Sequence, residues 1–310
     1  MGLGSLWFFL IAVLLLAILF SKDLISESEF YCRFSERQTT KEESLSTPLV
    51  PTGMGMRSGW VLPGGTTFAA FPNWHATMFS GFYLPLLLIL VALILRGVAF
   101  EFRSQDENPP WRNAWDWAIV IGSLLPAFLW GVAFANFIKG VPIDQNMQYV
   151  GGFWNLLNLY AIFGGLFALI FFTVHGAIFL SLKTDGTLQE NSKSAALKLW
   201  IPNVIILLVF FIATVFNTDI QSKPGILSES IFIAAIIFLL MAVWLKKTNK
   251  LGSAFLFTSG SMVAYFTAIF LLLYPRLMIS SLDPLYSLTI ANSASRPTTL
   301  AAISWVALIF

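Results

Sequence analysis

Long continuous runs of apolar residues constrain this chain more than any other feature. A transmembrane helix requires about 20 mainly apolar residues, and seven stretches approach or exceed that length. Because these stretches are continuous and do not alternate in short segments, they favour helices over a β-barrel. The predicted fold class is therefore all-α, a polytopic transmembrane helix bundle. The predicted spans are residues 3–20, 78–95, 117–138, 156–182, 199–216, 231–245 and 253–274, with about half of another span at 299–310.

Composition narrows the function as well as the fold. The chain is 57% hydrophobic and 11% charged, with a mean hydropathy of +0.78, which leaves too little charge to cover a soluble domain. The net charge of +2 does not suggest a nucleic-acid partner. Cys32 is the single cysteine, which excludes an intrachain disulfide or a four-cysteine cluster. Because His75 and His175 are the two histidines, a self-contained histidine-rich metal centre or multi-haem centre is not expected in this chain.

The loop charges predict how the chain crosses the membrane. Basic residues cluster in the loops at 96–113, 183–198 and 246–251, and cytoplasmic loops carry such an excess. We therefore expect these loops in the cytoplasm and the N-terminus outside, provided that a weakly apolar segment near 61–74 also crosses. The basic residues of the three loops are Arg96, Arg103, Arg112, Lys183, Lys193, Lys198, Lys246, Lys247 and Lys250, whereas the intervening loops hold Lys139, Lys223, Arg276 and Arg296.

Residues 21–60 differ from the rest of the sequence. They hold 11 of the chain's 34 charged residues, and the cysteine lies among them. Charge runs are usually solvated, so a polar loop is one interpretation. This division predicts a first transmembrane helix at 1–20, an anomalous polar segment at 21–60 and the remaining multi-helix membrane domain at 61–310.

From residue 64 onward the sequence resembles subunit II of the bacterial cytochrome bd-type quinol oxidases. The spacing of the FEFRS and WRNAWDW strings is the most specific feature, and the resemblance covers roughly four-fifths of the chain. Ala135 and Leu159 depart from it, because the family usually has glycine and proline at those positions. The strings are GGTTFAAFPNWHATMFSGFYLPL at 64–86, LRGVAFEFRS at 95–104, WRNAWDWAIVIGSLLPA at 111–127, GVAFANFIKGVP at 131–142, LLNLYAIFGGL at 156–166, HGAIFLSLKTDGTL at 175–188 and YPRLMISSLDPLYSLTIANSAS at 274–295.

The resemblance implies a subunit of a membrane quinol:oxygen oxidoreductase. A separate haem-bearing subunit I would carry haems b and d and the quinol site. This chain would contain no cofactor and no catalytic, cofactor-binding or metal-binding residue. It would support its partner and help to deliver protons. The resemblance also implies a multi-pass protein of the bacterial cytoplasmic membrane, in contact with the lipid bilayer. Intact members of the family have about eight to nine helices. The last helix is expected to be truncated here.

The resemblance also gives residues 21–60 a second interpretation. Two family blocks, GFDFGVG and INTIGPxWDGNEVWL, are missing where this segment stands. With suitable synonymous codons, residues 22–36 read one nucleotide out of frame give GFDFGVGILLPFLG, and residues 48–60 give TIGPYWDGNEVWL. Both blocks return in the same offset frame, which indicates a frameshift near Phe20 and a compensating one near 61–63. The aspartates of these blocks are the family's candidate proton carriers, so function is expected to be impaired.

Polar residues near the first basic loop form one candidate site. They are interpreted either as an anchor for subunit I and a proton entrance, or as ordinary positive-inside charges with helix capping. The residues are Arg96, Glu101, Arg103, Trp111, Arg112, Asn113, Trp115 and Asp116.

Four further polar residues are candidates inside the membrane. His175 could be a haem ligand or a proton relay, but a hydrogen-bonded core histidine is favoured because subunit II is not expected to bind haem. Asn136, Asn155 and Asn158 could line a water path, although polar contacts between helices are the preferred interpretation. Composition alone would equally allow a secondary transporter or channel, and a decayed gene with a non-functional product is a third hypothesis.

Overall fold

The computed structural model describes residues 2–13, 61–218, 226–247 and 251–309 of the 310-residue chain. The anomalous segment at 21–60 and the end of the first predicted span lie outside the described residues. The helices are α1 Leu3–Val13, α2 Val61–Ala70, α3 Pro72–Gly81, α4 Tyr83–Phe102, α5 Pro109–Lys139, α6 Phe153–Leu156, α7 Leu159–Lys183, α8 Gly186–Asn217, α9 Ile226–Lys247, α10 Leu251–Leu273, α11 Ile290–Ser293 and α12 Pro297–Ile309, with two short strands, β1 Arg276–Met278 and β2 Leu288–Thr289.

Five of the described helices are long and apolar enough to cross a membrane. They are α4 with the 3₁₀ turn Arg103–Gln105, α5, α7, α8 and α10. Helix α9 has 22 residues and contains the shorter apolar segment Ile233–Ala242. The predicted all-α class and the multi-pass membrane architecture are confirmed, since the two strands of the described part contribute only a small hairpin.

The weakly apolar segment near 61–74 is divided between two helices of ten residues each, α2 and α3. Phe71 separates them, and Pro72 begins α3, where its missing N–H costs no helical hydrogen bond. A ten-residue helix is about 15 Å long, roughly half a bilayer. The predicted span at 78–95 runs across the boundary between α3 and α4, so the observed spanning helix begins five residues later, at Tyr83.

Helix α8 is longer than the apolar pattern indicates. The predicted loop at 183–198 is helical from Gly186, and α8 continues for 32 residues to Asn217. The first turns are polar and project beyond the apolar part of the helix. Hydropathy finds the span at 199–216 but does not register a polar helix that continues it.

Helices α5 and α7 cross antiparallel at a contact made by small residues. A Cβ placed on Gly131 would lie 2.5 Å from the Gly164 carbonyl oxygen and 2.6 Å from the Ala168 Cβ. Ala135, which stands where the family usually has glycine, packs against Gly164, where an added Cβ would lie 2.7 Å from the Ala135 Cβ. The close approach therefore depends on glycine on both helices.

The antiparallel helices place the loops at two opposite ends. At one end, which we call the hairpin end, β1 pairs with β2 and the Val141 N–H donates to the Ile279 carbonyl at 2.9 Å. There the Ser295 N–H also donates to the Ala70 carbonyl at 2.8 Å. The α4–α5 and α7–α8 connections lie at the other end, which we call the basic end, as do the last residue of α9, Lys247, and the first residue of α10, Leu251. The described residues of the three loops predicted to be cytoplasmic are thus on the same side of the bundle.

We expect the basic end to face the cytoplasm, because cytoplasmic loops retain an excess of lysine and arginine. Lys193→Cys and Asn146→Cys, each in a Cys32→Ser background, place one thiol at each end of the bundle. In intact cells an impermeant maleimide should label position 146 and label position 193 only after permeabilisation. Equal labelling of both positions in intact cells would contradict this topology.

Candidate functional site

The candidate cluster at the basic end is built around the turn between α4 and α5. The Arg103 Nε donates to the Asp116 Oδ1 at 2.7 Å, and the two side chains are 14% and 18% exposed. Arg103 follows the last residue of α4, and Asp116 lies two turns into α5. Because the ion pair is largely shielded from solvent, it holds the two helices together more effectively than an exposed pair would.

Aromatic residues complete this turn. The Trp111 Nε1 donates to the Phe102 carbonyl at 2.8 Å, which satisfies one of the terminal carbonyls of α4. The Trp111 and Trp115 rings meet edge to face with centroids 5.6 Å apart, as the four-residue spacing on one helix allows. The Phe102 ring also contacts Trp115 at 5.6 Å. The result is an amphipathic corner in which indole rings pack against the end of a membrane-spanning helix, a position typical of tryptophan in membrane proteins.

The structure separates the eight candidate residues into three groups. The Arg112 Nε donates to the Asp106 carbonyl at 3.3 Å and so belongs to the turn. Arg96 lies about 10 Å deeper along α4, with its guanidinium carbon 6.0 Å from the Phe100 ring centroid. Glu101 and Asn113 are exposed at the rim. The α4–α5 turn cluster therefore consists of Arg103, Trp111, Arg112, Trp115 and Asp116.

His175 is fully buried in the middle of α7 and pairs with α10. Its Nδ1 lies 2.8 Å from the Thr258 Oγ1, and that hydroxyl donates its single proton to the Phe255 carbonyl at 2.9 Å. The ring also stacks on Phe255, with centroids 5.0 Å apart. These contacts support a packed core histidine that joins two helices.

A chain of amides lies at the hairpin end. The Asn136 Nδ2 donates to the Leu156 carbonyl at 2.8 Å, and its Oδ1 accepts from the Asn158 Nδ2 at 2.9 Å. The Asn158 Oδ1 accepts from the Lys139 Nζ at 3.1 Å and also caps α7. These bonds connect α5 to α7 and support the interpretation as polar contacts between helices. Asn155 differs, because it lies in the short α6 with an exposed side chain and not within a span.

His75 lies in α3 near the hairpin end. Its ring stacks on Phe79 with centroids 4.1 Å apart and meets Phe68 edge to face at 5.1 Å. Partial burial lowers the pKa of His75 below its usual value, so the imidazole is neutral at neutral pH. His75 thus acts as an aromatic packing residue and does not add a positive charge to this end.

Several buried polar residues were not singled out in the sequence. Thr258 is the partner of His175, and the Tyr160 hydroxyl lies 2.9 Å from the Thr214 Oγ1 between α7 and α8. Asn203 is fully buried, and neither atom of its amide has a protein hydrogen-bond partner in the described part of the chain. All of these buried residues are polar side chains within apolar stretches of sequence, and that pattern could have identified them. Within the described ranges, no three histidine, cysteine, aspartate or glutamate side chains lie close enough to hold a metal ion.

The model of the family described as cytochrome bd terminal oxidase subunit II matches residues 3–310. The chain belongs to this family. The FEFRS and WRNAWDW strings that suggested the resemblance contribute Arg103 and the helical residues of the α4–α5 turn cluster, so part of the family's sequence signature lies at this corner of the bundle.

Comparisons with individual proteins also support the assignment of this chain to the subunit II family. It is 35% identical over 309 residues to subunit 2 of the cytochrome bd ubiquinol oxidase of Bacillus subtilis, covering 99% of this chain and 91% of the relative. It is 32% identical to the probable cytochrome oxidase subunit 2 of Haemophilus influenzae, covering 81% of this chain and 75% of the relative. A chain in the structure of the bd oxidase from Geobacillus thermodenitrificans shares the fold, with a TM-score of 0.79, 18% identity, and coverage of 99% and 93%.

Proposed function

We propose that this chain is the non-haem subunit of a bacterial bd-type quinol:oxygen oxidoreductase. The observation that carries the proposal is the family match over residues 3–310. In this proposal haems b and d and the quinol site belong to a haem-bearing subunit I, and the complex lies in the bacterial cell membrane. This chain alone holds no complete active site. The family membership favours this function over a secondary transporter or channel.

The reaction of the proposed complex defines what this chain contributes. Two quinols supply four electrons and release four protons, and one O₂ takes up four electrons and four protons to give two waters. The protons consumed must reach a buried site, so a neighbouring subunit can contribute both support for the haem-bearing core and part of a proton path. The packed His175–Thr258 contact and the amide chain at Asn136 support the structural role, because both join helices across the bundle.

Within this function the α4–α5 turn cluster is proposed to anchor the haem-bearing subunit. The Asp116 carboxylate is already engaged by Arg103 at 2.7 Å, which suits a fixed corner better than a group that must take up and release protons. The flanking Trp111 and Trp115 rings add amphipathic contact area, and tryptophan and arginine are enriched at protein interfaces.

An exchange of charges tests this anchor. Asp116→Arg alone should weaken retention of the haem-bearing subunit about fivefold, because losing the pair costs on the order of 1 kcal/mol and leaves two cations together. The double variant Arg103→Asp with Asp116→Arg should recover part of that loss. The measurement is haem absorbance per mole of tagged chain after purification, with exposed Glu107→Ala as the control.

The same variants distinguish the anchor from a proton entrance. If the cluster were only a proton entrance, the haem-bearing subunit would co-purify normally with Asp116→Arg while oxygen consumption fell. If all variants retained both the partner and full oxygen consumption, neither role would stand, and the cluster would serve only topology.

A further inference from the structure

Exposed apolar side chains gather in one short segment at the hairpin end. Trp154 is 78% exposed, Leu159 71% and Val150 58%. They flank or lie in the four-residue helix α6, between the loop after α5 and the start of α7. Large apolar side chains grouped on a surface usually mark a binding surface or contact with a membrane.

This segment is held firmly in place. Leu156 is 1% exposed, and its carbonyl accepts from the buried Asn136 amide at 2.8 Å. The Asn158 Nδ2 donates to the Asn155 carbonyl at 3.3 Å, and the Tyr149 hydroxyl donates to the Gly152 carbonyl at 2.9 Å. These bonds hold the backbone on both sides of Trp154, so the segment that carries this side chain is tied to α5 and α7.

The exposed patch continues an exposed apolar stripe at the start of α7, a helix long and apolar enough to cross a membrane. Leu159 begins α7, and Leu166, two turns further along the same face, is 36% exposed. A spanning helix exposes such a stripe to hydrocarbon. The patch extends that stripe past the helix end, where indole rings sit at headgroup level.

A positive charge lies beside this patch. The Lys139 Nζ donates one hydrogen bond to the Asn158 Oδ1, and Asn158 in turn bonds the backbone of α6. An ammonium group has three N–H donors, and a lysine with its stem along apolar surface places its charge at the headgroups. One cation next to an exposed tryptophan and leucine matches a phospholipid, with phosphate at the amine and acyl chain at the apolar side chains.

We propose that Trp154, Leu159 and Lys139 form an interfacial patch that binds phospholipid at the hairpin end. A phospholipid fits this patch better than a protein partner because the patch is continuous with the exposed apolar stripe at the start of a membrane-spanning helix, and because the charge of Lys139 complements phosphate. The site does not depend on the oxidase assignment, since it would position the bundle in a bilayer whatever partner the chain has.

Spin labels measure the depth of this patch in the assembled complex. Trp154→Cys and Asn146→Cys, each with Cys32→Ser, place the label on the patch and on an exposed position of the same loop. The complex is reconstituted in vesicles of equal parts phosphatidylcholine and phosphatidylglycerol. The ratio of accessibility to oxygen over accessibility to a water-soluble nickel complex should be several-fold higher at position 154 than at 146.

A second comparison tests the charge. Lys139→Gln should lower that ratio at position 154 in vesicles containing phosphatidylglycerol, and should change it much less in pure phosphatidylcholine. Equal ratios at 154 and 146 would place the patch in water and overturn the proposal. A label at 154 that is shielded from both reagents would show that a protein partner covers the patch, and would overturn it as well.

Discussion

Restoring the offset reading frame across residues 21–60 should raise the quinol oxidase activity of membranes that carry this chain by on the order of 100-fold. The change replaces residues 22–36 with GFDFGVGILLPFLG and residues 48–60 with TIGPYWDGNEVWL. Both blocks are expected from the family resemblance, and both are absent from the chain as it stands. The expected gain reflects the return of two aspartates proposed to carry protons toward the haem-bearing subunit.

The present residues 21–60 are poorly suited to a membrane span. They contain 11 charged residues, and each charge at a helix centre costs about 2.5–3.5 kcal/mol on insertion scales. Residues 46–61 hold fewer charges, but Pro48 and Pro51 disfavour a helix there. A functional carboxylic acid inside a membrane requires a helix around it, so we expect both the helix and its acids to return together.

The measurement is oxygen consumption with quinol, normalised to haem in the same membranes. A matched control carries both restored blocks with each aspartate changed to asparagine. The control should assemble like the repaired chain but remain slow, which separates proton delivery from assembly. If the unrepaired chain assembles and turns over as fast as the repaired one, residues 21–60 are a functional variant and the frameshift interpretation is wrong.

Hydropathy predicts much of this fold because the bilayer sets both the length and the composition of a span. The predicted span at 117–138 lies within α5, and the span at 253–274 matches α10 to within two residues at either end. The helix boundaries that hydropathy does not predict depend on features other than the length and composition of a span. Hydropathy cannot see the break at Phe71, which Pro72 favours, or the polar start of α8 at Gly186, because neither changes the apolar content of a long window.

The sequence predicts those parts of the candidate site whose residues lie close together along the chain. Arg103 and Asp116 are 13 residues apart across one turn, so their proximity in the sequence carries over into the structure. The partners of buried groups are not local. His175 and Thr258 are 83 residues apart, and their contact depends on how α7 packs against α10. A single sequence shows which residues are polar within a span but does not show which helix each one faces.

The glycine contact between α5 and α7 should be the position least tolerant of an added methyl group. The Cβ of Gly131→Ala would lie 2.5 Å from the Gly164 carbonyl oxygen and 2.8 Å from the Gly165 Cα. Both are backbone atoms, so no side-chain rotation can relieve the overlap and the helices must separate. We expect a loss of about 1–3 kcal/mol, as for overpacking elsewhere, together with weaker contacts along the whole seam.

Gly252→Ala provides the matched control for this prediction. Gly252 lies in α10 with nothing within 4 Å of an added Cβ, and alanine favours a helix over glycine by up to about 1 kcal/mol. The thermal unfolding temperature of the purified complex should therefore fall for Gly131→Ala and stay unchanged or rise for Gly252→Ala. Membrane helices pack through close backbone contact more than through hydrophobic burial. If Gly131→Ala unfolded at the same temperature as the control, the α5–α7 seam would not be the tight contact that holds these two helices together.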